Sequence, residues 1–235
     1  MAFEPSAQVF DEIAPHPEGV DPADELVHER AYVVRAYRKG TDVLVLRGAV
    51  RDQKPPGLYI PEDPEPLTVH HMVVDLEVQI PSLEIIGAKV ALETHPHAGC
   101  PRIEDHYGKL VGLSIARGFT HKVRELFGGP RGCTHTTALL QAMAPVAIQS
   151  MWSFRIAEAR SGAMEAGNGQ ESPFGTQEAR ERSLMMNLNT CHIWAEDGEQ
   201  VRSVREGLPM EVPVWIERRF AKLGIDASQW RPGGG

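Results

Sequence analysis

The chain has 235 residues, a formal net charge of −8 and an apolar fraction of 42%. That length fits one large domain or one domain with extensions, and the apolar fraction is sufficient for a sizeable core. The acidic balance argues against a nucleic-acid partner, because neutralising phosphates needs a clustered excess of lysine and arginine. No window contains eighteen apolar residues, so the sequence predicts neither a transmembrane helix nor a membrane partner.

The cysteines and the N-terminus bear on localisation. The chain has three cysteines, an odd number, and it starts without the basic segment and apolar run of a secretory signal. Reduced thiols are therefore expected, and with them a cytoplasmic location in a bacterial-type cell.

The first half of the chain predicts an antiparallel sheet. Residues 1–28 are rich in Pro, Asp and Glu and predict an extended arm, and the five prolines of residues 52–66 predict a surface loop. Strands are predicted at 31–37 and 42–51 and in two further segments in which apolar residues alternate with polar ones. The alternating sets are Met72, Val74, Leu76, Val78 and Ile80 in the third strand, and Ile86, Ala88, Val90 and Leu92 in the fourth.

The second half predicts helices. Pro101 suits a first helical residue, and a long helix is expected over 134–160, kinked or split by Pro145. A mobile loop over 161–177, an ordered piece over 184–194 and a helix over 214–223 follow. The predicted fold is α+β, an antiparallel meander-like sheet packed against helices, with a long kinked helix after a Gly-Cys-Thr-His motif. It forms a single domain over 29–224, followed by a disordered tail over 225–235.

The stretch from His95 to His135 predicts the functional site. Cys100 and Cys133 both stand where helices are expected to begin, and there the helix dipole favours the thiolate that binds metal or attacks an electrophile. His135 lies two residues after Cys133, and the late Cys191-His192 pair offers further ligands. One zinc or iron ion held by Cys100, Cys133, His135 and either Cys191 or His192 would satisfy tetrahedral coordination. The alternative interpretation is three buried cysteines and satisfied histidines.

Other polar residues have weaker assignments. His95 and His97 form a His-x-His pair after a strand, but the spacing to Glu104 does not match the cupin pattern, so their ligand role is left open. His70 and His71 alternate faces of a strand and are interpreted as surface or core polar residues. The nearest candidates for a general base are Glu104, His106 and His121, chosen by proximity to the cysteines.

The glycine-rich turn before Cys133 has a separate interpretation. It lacks the lysine of a phosphate-binding loop, which excludes a nucleotide-binding P-loop. Backbone N–H groups of Gly132 to His135, with Arg131 nearby, could hold a carboxylate or another anion. A tight turn that starts the helix is the favoured interpretation.

Three functional hypotheses follow. The leading one is a metal-dependent enzyme, carrying out hydrolysis or C–C lysis on a small organic molecule, with a carboxylate-bearing metabolite as one candidate. The second is a non-enzymatic binding or scaffold module with a structural metal site. The third is a metal-free enzyme with Cys133 as nucleophile and His135 or His192 as base. A homo-oligomer is compatible with all three.

Particular motifs resemble a known family. They are Gly-Cys133-Thr-His135 before an Ala/Leu-rich helix, the segment from Leu110 to Phe119, and Cys100 in a Pro-x-x-x-Cys context. Together, over residues 30 to 195, they are similar to the DUF2889 family of uncharacterised bacterial proteins. The resemblance implies strands first, then the cysteine and histidine region, then a late Thr-Cys-His such as Thr190-Cys191-His192. It implies no particular activity.

Overall fold

The structure is a computed structural model, and it describes residues 26–160, 177–208 and 211–229. Packing divides the chain into two compact units, Met1–Met151 and Trp152–Gly235, and each is described by itself. The boundary falls inside one continuous helix, so the predicted single domain over 29–224 stays a prediction. Most of the predicted arm and nearly all of the predicted loop over 161–177 lie outside the described residues.

The first unit contains a four-stranded antiparallel sheet whose strand order is the sequence order, which confirms the predicted meander. The strands are β1 (Glu29–Lys39), β2 (Val43–Lys54), β3 (Leu67–Gln79) and β4 (Glu84–Thr94). All of them are longer than predicted. The extension that matters is at the end of β2. The sequence predicts a loop over 52–66, whereas Asp52 and Gln53 pair with both neighbouring strands and Lys54 pairs with Leu67 of β3.

One face of the sheet carries the core. Alternate residues of β2 and β3 are buried, as side chains that point to one face of a pleated strand should be. They are Leu44, Leu46 and Val50 on β2, and Met72, Val74, Leu76 and Val78 on β3. The pattern predicted for the third strand is therefore confirmed from Met72 to Val78.

The pattern predicted for the fourth strand is wrong at its start. Ile85 is fully buried and Ile86 is 42% exposed, whereas Val90 and Leu92 are buried as expected. The register between β3 and β4 shifts next to this point, so that Val78 pairs with Ile85. A bulge inserts one extra residue and reverses the parity of the side chains beyond it.

Helices follow the sheet in the first unit. A 3₁₀ helix covers Cys100–Leu110, α1 covers Phe119–Phe127, and α2 covers Thr134–Arg160 with Pro145 inside it. Helix α2 packs closely on β2. A Cβ added at Gly48 would lie 2.7 Å from the Met143 Sδ, so glycine is what allows this approach. The α+β fold of sheet and helices is as predicted.

The second unit is helical in its described part. It contains α3 (Gln177–Asn187), α4 (Glu199–Glu206) and α5 (Val214–Leu223). Leu184, Val201 and Val204 form a small core, against which Leu188 and Trp194 pack. Helix α5 ends at Gly224, whose left-handed conformation is typical of a helix C-terminus. Ala227–Gln229 forms a short 3₁₀ turn. Residues 230–235 lie outside the described part, and the disordered tail over 225–235 stays a prediction.

Candidate functional site

Three polar residues lie in a row across the sheet. Arg30 of β1 pairs directly with Asp52 of β2, and Asp52 pairs directly with His70 of β3. Asp52 and His70 have the same parity as the buried residues of their strands, so they continue the core face towards its end. The register between β2 and β3 shifts immediately beyond Asp52, and bulges are frequent beside functional sites.

Asp52 is the centre of this row. Its side chain is only 2% exposed, and a buried carboxylate requires charged or hydrogen-bonding partners. Arg30 donates from Nε to Oδ1 at 2.5 Å and from Nη2 to Oδ2 at 2.7 Å, a bidentate pair. This hydrogen-bonded guanidinium, against the opposing effect of burial, lowers the pKa of Asp52 to about 2. Asp52 is therefore an anion at neutral pH.

Two imidazoles face the same carboxylate oxygen. His70 Nδ1 and His135 Nε2 each lie 3.1 Å from Asp52 Oδ2. The two rings stack with centroids 3.9 Å apart and an interplanar angle of 27°. Burial, and then the neighbouring His70, lower the pKa of His135, so its neutral form is favoured at neutral pH. His28 adds a third imidazole, with Nε2 3.7 Å from Asp52 Oδ1.

His135 reaches this carboxylate from the first turn of α2. Two residues earlier, the backbone of Cys133 is fixed by the buried Tyr107, whose hydroxyl accepts from the Cys133 N–H at 2.8 Å. Burial raises the pKa of Tyr107, so its hydroxyl stays protonated. Gly132 permits the turn, since a Cβ there would lie 2.5 Å from the Phe127 carbonyl oxygen. These contacts set where the helix begins and which way His135 points.

Asp52, His70 and His135 could hold a metal ion. Each offers one ligand atom, and the three atoms lie within 4.8 Å of one another. Ligand atoms that share an ion at about 2.1 Å lie roughly 3.0–3.4 Å apart in octahedral or tetrahedral geometry. The two 3.1 Å separations from Asp52 Oδ2 fall in that range. In the part of the chain that the structure describes, this is the one group of three or more His, Cys, Asp or Glu residues so arranged.

The structure brings together two of the predicted ligands. Cys133 Sγ lies 3.8 Å from His135 Nδ1, while Nε2 of the same ring faces Asp52. The Cys133 thiol therefore faces one nitrogen of the His135 imidazole, and the Asp52 carboxylate faces the other. In this arrangement Cys133 does not share an ion bound at Nε2.

The other predicted ligands are not part of the Asp52 group. Cys100 begins the 3₁₀ helix as a half-buried free thiol. Cys191 and His192 are exposed residues of the second unit. Their assignment to a metal site stays a prediction.

The predicted general bases have other hydrogen-bond partners or face solvent. Glu104 Oε1 accepts from the Leu92 N–H at 2.7 Å, and His106 Nε2 lies 3.2 Å from the Leu126 carbonyl oxygen. His121 is exposed on α1. His95 Nδ1 lies 3.0 Å from the His97 carbonyl oxygen in the turn after β4. Catalytic roles for the first three stay predictions.

Arg131 stabilises the turn before α2 by hydrogen bonds to backbone carbonyl oxygens. Its Nε donates to the Glu125 carbonyl oxygen at 2.8 Å and its Nη2 to the Arg124 carbonyl oxygen at 3.3 Å. It therefore caps the end of α1, and this agrees with the favoured interpretation of the glycine-rich segment as a tight turn.

Asp52 and His70 belong to the candidate site although no motif in the sequence points to them. The prolines of residues 52–66 predict a loop that begins at Asp52, and the alternation of His70 and His71 predicts surface or core polar residues. The sequence does contain one signal for these two residues, which is the alternation of side chains along each strand. His70 precedes Met72 by two residues and Asp52 follows Val50 by two, so both continue a buried face. A carboxylate and an imidazole on a core face need partners, and they find them in each other and in Arg30.

Comparison with known protein families gives one match. The model of the family "Protein of unknown function (DUF2889)" matches residues 28–149, just over half of the chain. The match contains the Asp52 group and Cys133 and ends before Cys191. No curated protein and no solved structure matches the chain. Separately, among the residues that the structure describes, no helix is long and apolar enough to span a membrane.

Proposed function

This chain belongs to the DUF2889 family, and because that family has no assigned activity, we propose a function from the site itself. Asp52, His70 and His135 bind one divalent metal ion, zinc or iron. The protein uses it as a metal-dependent enzyme on a small organic molecule, in hydrolysis or C–C lysis. One observation carries this proposal: two imidazole nitrogens lie 3.1 Å from one oxygen of a buried carboxylate.

The donor set supports a catalytic rather than a closed structural ion. Three protein ligands leave an open position for water or substrate, whereas structural zinc sites are normally saturated by four ligands. Two histidines and one carboxylate are typical of both catalytic zinc and non-haem iron(II). In such a site the ion polarises a carbonyl or activates water. The scaffold hypothesis is correspondingly less well supported.

Neighbouring residues support the ligands. Arg30 fixes the orientation of Asp52 with two hydrogen bonds, and Asp52 stays ionised because of it. Cys133 faces the Nδ1 of His135, so that Nε2 is the ring nitrogen turned towards Asp52. Contacts of this kind orient metal ligands, and their removal typically lowers metal affinity by about 10- to 100-fold.

Elemental mass spectrometry on untagged protein tests the proposal. About one equivalent of metal is expected in the wild type, and it should be lost in His70→Ala and in His135→Ala. His97→Ala is the matched control, because His97 is an exposed histidine of the same unit and should keep the metal. Circular dichroism must show that each variant is folded. A folded wild type that takes up neither zinc nor iron would contradict the proposal.

A specific observation also favours the metal-free alternative. Cys133 Sγ, His135 and Asp52 form a chain in which the thiol faces one ring nitrogen at 3.8 Å and the carboxylate faces the other at 3.1 Å. A nucleophile, a base and a group that orients the base are the elements of a thiol enzyme. Iodoacetamide should then alkylate Cys133 faster than the more exposed Cys191, and His135→Ala should remove the difference.

A further inference from the structure

The charge around Asp52 is unusual for a cation site. Among the residues that the structure describes, the side chains that face its carboxylate are basic or neutral, and none is acidic: His28, Arg30, His70 and His135. The positive charge of Arg30 already balances Asp52. A divalent ion held with neutral imidazoles would therefore leave the site with a net charge of roughly +2. Such a site favours an anionic ligand at the open coordination position, because a second negative group is needed to balance the ion.

Arg30 has hydrogen-bonding capacity left for such a ligand. A guanidinium carries five N–H donors, and Asp52 is bound through Nε and Nη2 only. The Arg30 side chain is 37% exposed, in contrast to the buried carboxylate behind it. A guanidinium is not deprotonated in proteins, so the charge of Arg30 is permanent. Part of the Arg30 guanidinium therefore binds the proposed metal ligand Asp52, and the rest of it is accessible to a ligand from solvent.

We propose that the substrate is a small carboxylate, which binds at the open position of the metal and is paired by the accessible part of Arg30. This inference rests on the proposed metal site and names the substrate class for it. A planar guanidinium matches the two oxygens of a carboxylate, which a lysine ammonium cannot do. The alternative is that Arg30 serves only to neutralise Asp52, in which case the charge of a ligand at the metal would matter little.

Cobalt(II) is a suitable probe, because its visible absorption changes when a ligand enters its coordination sphere. Protein loaded with cobalt(II) is titrated with glycolate and, separately, with its neutral isostere glycolamide. We expect glycolate to change the spectrum at a concentration at least about tenfold lower than glycolamide does. Inorganic phosphate is titrated in a third arm. A spectral change at lower phosphate than glycolate would overturn the assignment to a carboxylate.

Arg30→Lys tests the role of the guanidinium, because lysine keeps the positive charge but lacks the planar pair of N–H donors. Lysine also loses one of the two hydrogen bonds to Asp52, so the affinity for cobalt(II) should fall by about tenfold. On protein saturated with cobalt(II), glycolate binding should weaken by about tenfold. Arg35→Lys is the control, because Arg35 is exposed on the same strand and points to the opposite face. It should leave both affinities unchanged. An unchanged glycolate affinity in Arg30→Lys would overturn the inference.

Different experimental results would contradict the metal site and the carboxylate substrate. Wild type that binds no cobalt(II) contradicts the metal site itself. Wild type that binds cobalt(II) but responds equally to glycolate and glycolamide contradicts the carboxylate alone. If Arg30→Lys loses the metal, the comparison of the two ligands on wild-type protein still decides the question.

Discussion

The Arg30 guanidinium and the Asp52 carboxylate form a bidentate ion pair between directly paired residues of β1 and β2. The carboxylate is buried at the end of the core face, while the guanidinium is partly exposed. A buried anion, unlike a surface anion, stabilises the fold only while its partners remain in place. The same pair therefore controls both the stability of the sheet at this end and the geometry of the candidate metal site.

Asp52→Asn removes the charge but keeps the size of the side chain. It should lower the free energy of unfolding by about 2–4 kcal/mol, because Arg30 and the facing imidazoles lose a charged acceptor. Urea denaturation followed by circular dichroism measures this. Asp75→Asn is the matched control, since Asp75 is partly exposed and lies 3.7 Å from Arg47 in a surface ion pair. Its cost should stay below about 1 kcal/mol. Equal effects of the two substitutions would contradict the central role of Asp52.

Acid should weaken the fold through the same carboxylate. The pKa of Asp52 is about 2 in the folded state and 3.8 without perturbation, so the unfolded chain takes up its proton first. The stabilisation is complete above the unfolded value and is lost as the pH falls from about 4 to about 2, by about 2 kcal/mol. In urea titrations the difference between wild type and Asp52→Asn should shrink over that range. A difference that is independent of pH would contradict the assignment.

His135 should add a second pH dependence at higher pH. Its pKa is lowered below the usual 6.5, so the unfolded chain binds a proton that the folded chain resists. Folding stability should therefore decrease as the pH falls below about 6.5. His135→Gln should flatten the pH profile of the unfolding free energy in this range. His121→Gln, at an exposed position of α1, should leave it unchanged.

Gly48→Ala tests the packing of α2 on the sheet. The added methyl would lie 2.7 Å from the Met143 Sδ and 3.2 Å from Leu139 Cδ1, so these side chains must move. The cost should be about 1–2 kcal/mol, as is usual for overpacking of a core. Gly99→Ala is the control, because an added Cβ there meets nothing within 4 Å. Thermal unfolding of both variants gives the comparison, and a neutral Gly48→Ala would show that the helix does not approach β2 so closely.

Tyr107→Phe tests how the start of α2 is held. The substitution removes the hydroxyl that accepts from the Cys133 N–H, so a partly buried donor loses its partner. A loss of about 1–2 kcal/mol is expected. Metal content should fall as well, because His135 lies in the same turn. Tyr37→Phe, at an exposed tyrosine of β1, should change neither the unfolding free energy nor the metal content.

Local patterns in the sequence predicted the class of fold and one residue of the candidate site, His135. Alternation in β3 and the long helical segment after Cys133 are local patterns, and periodicity alone identifies them. His135 was found because Cys-x-His at a helix start is also a local pattern. Which residues face His135 depends on the tertiary fold. Asp52 and His70 are 83 and 65 residues from His135 in the chain, and strand register, together with the bulge beside Asp52, brings them to one point. Register depends on pairing between distant segments, so no single segment of the sequence records it.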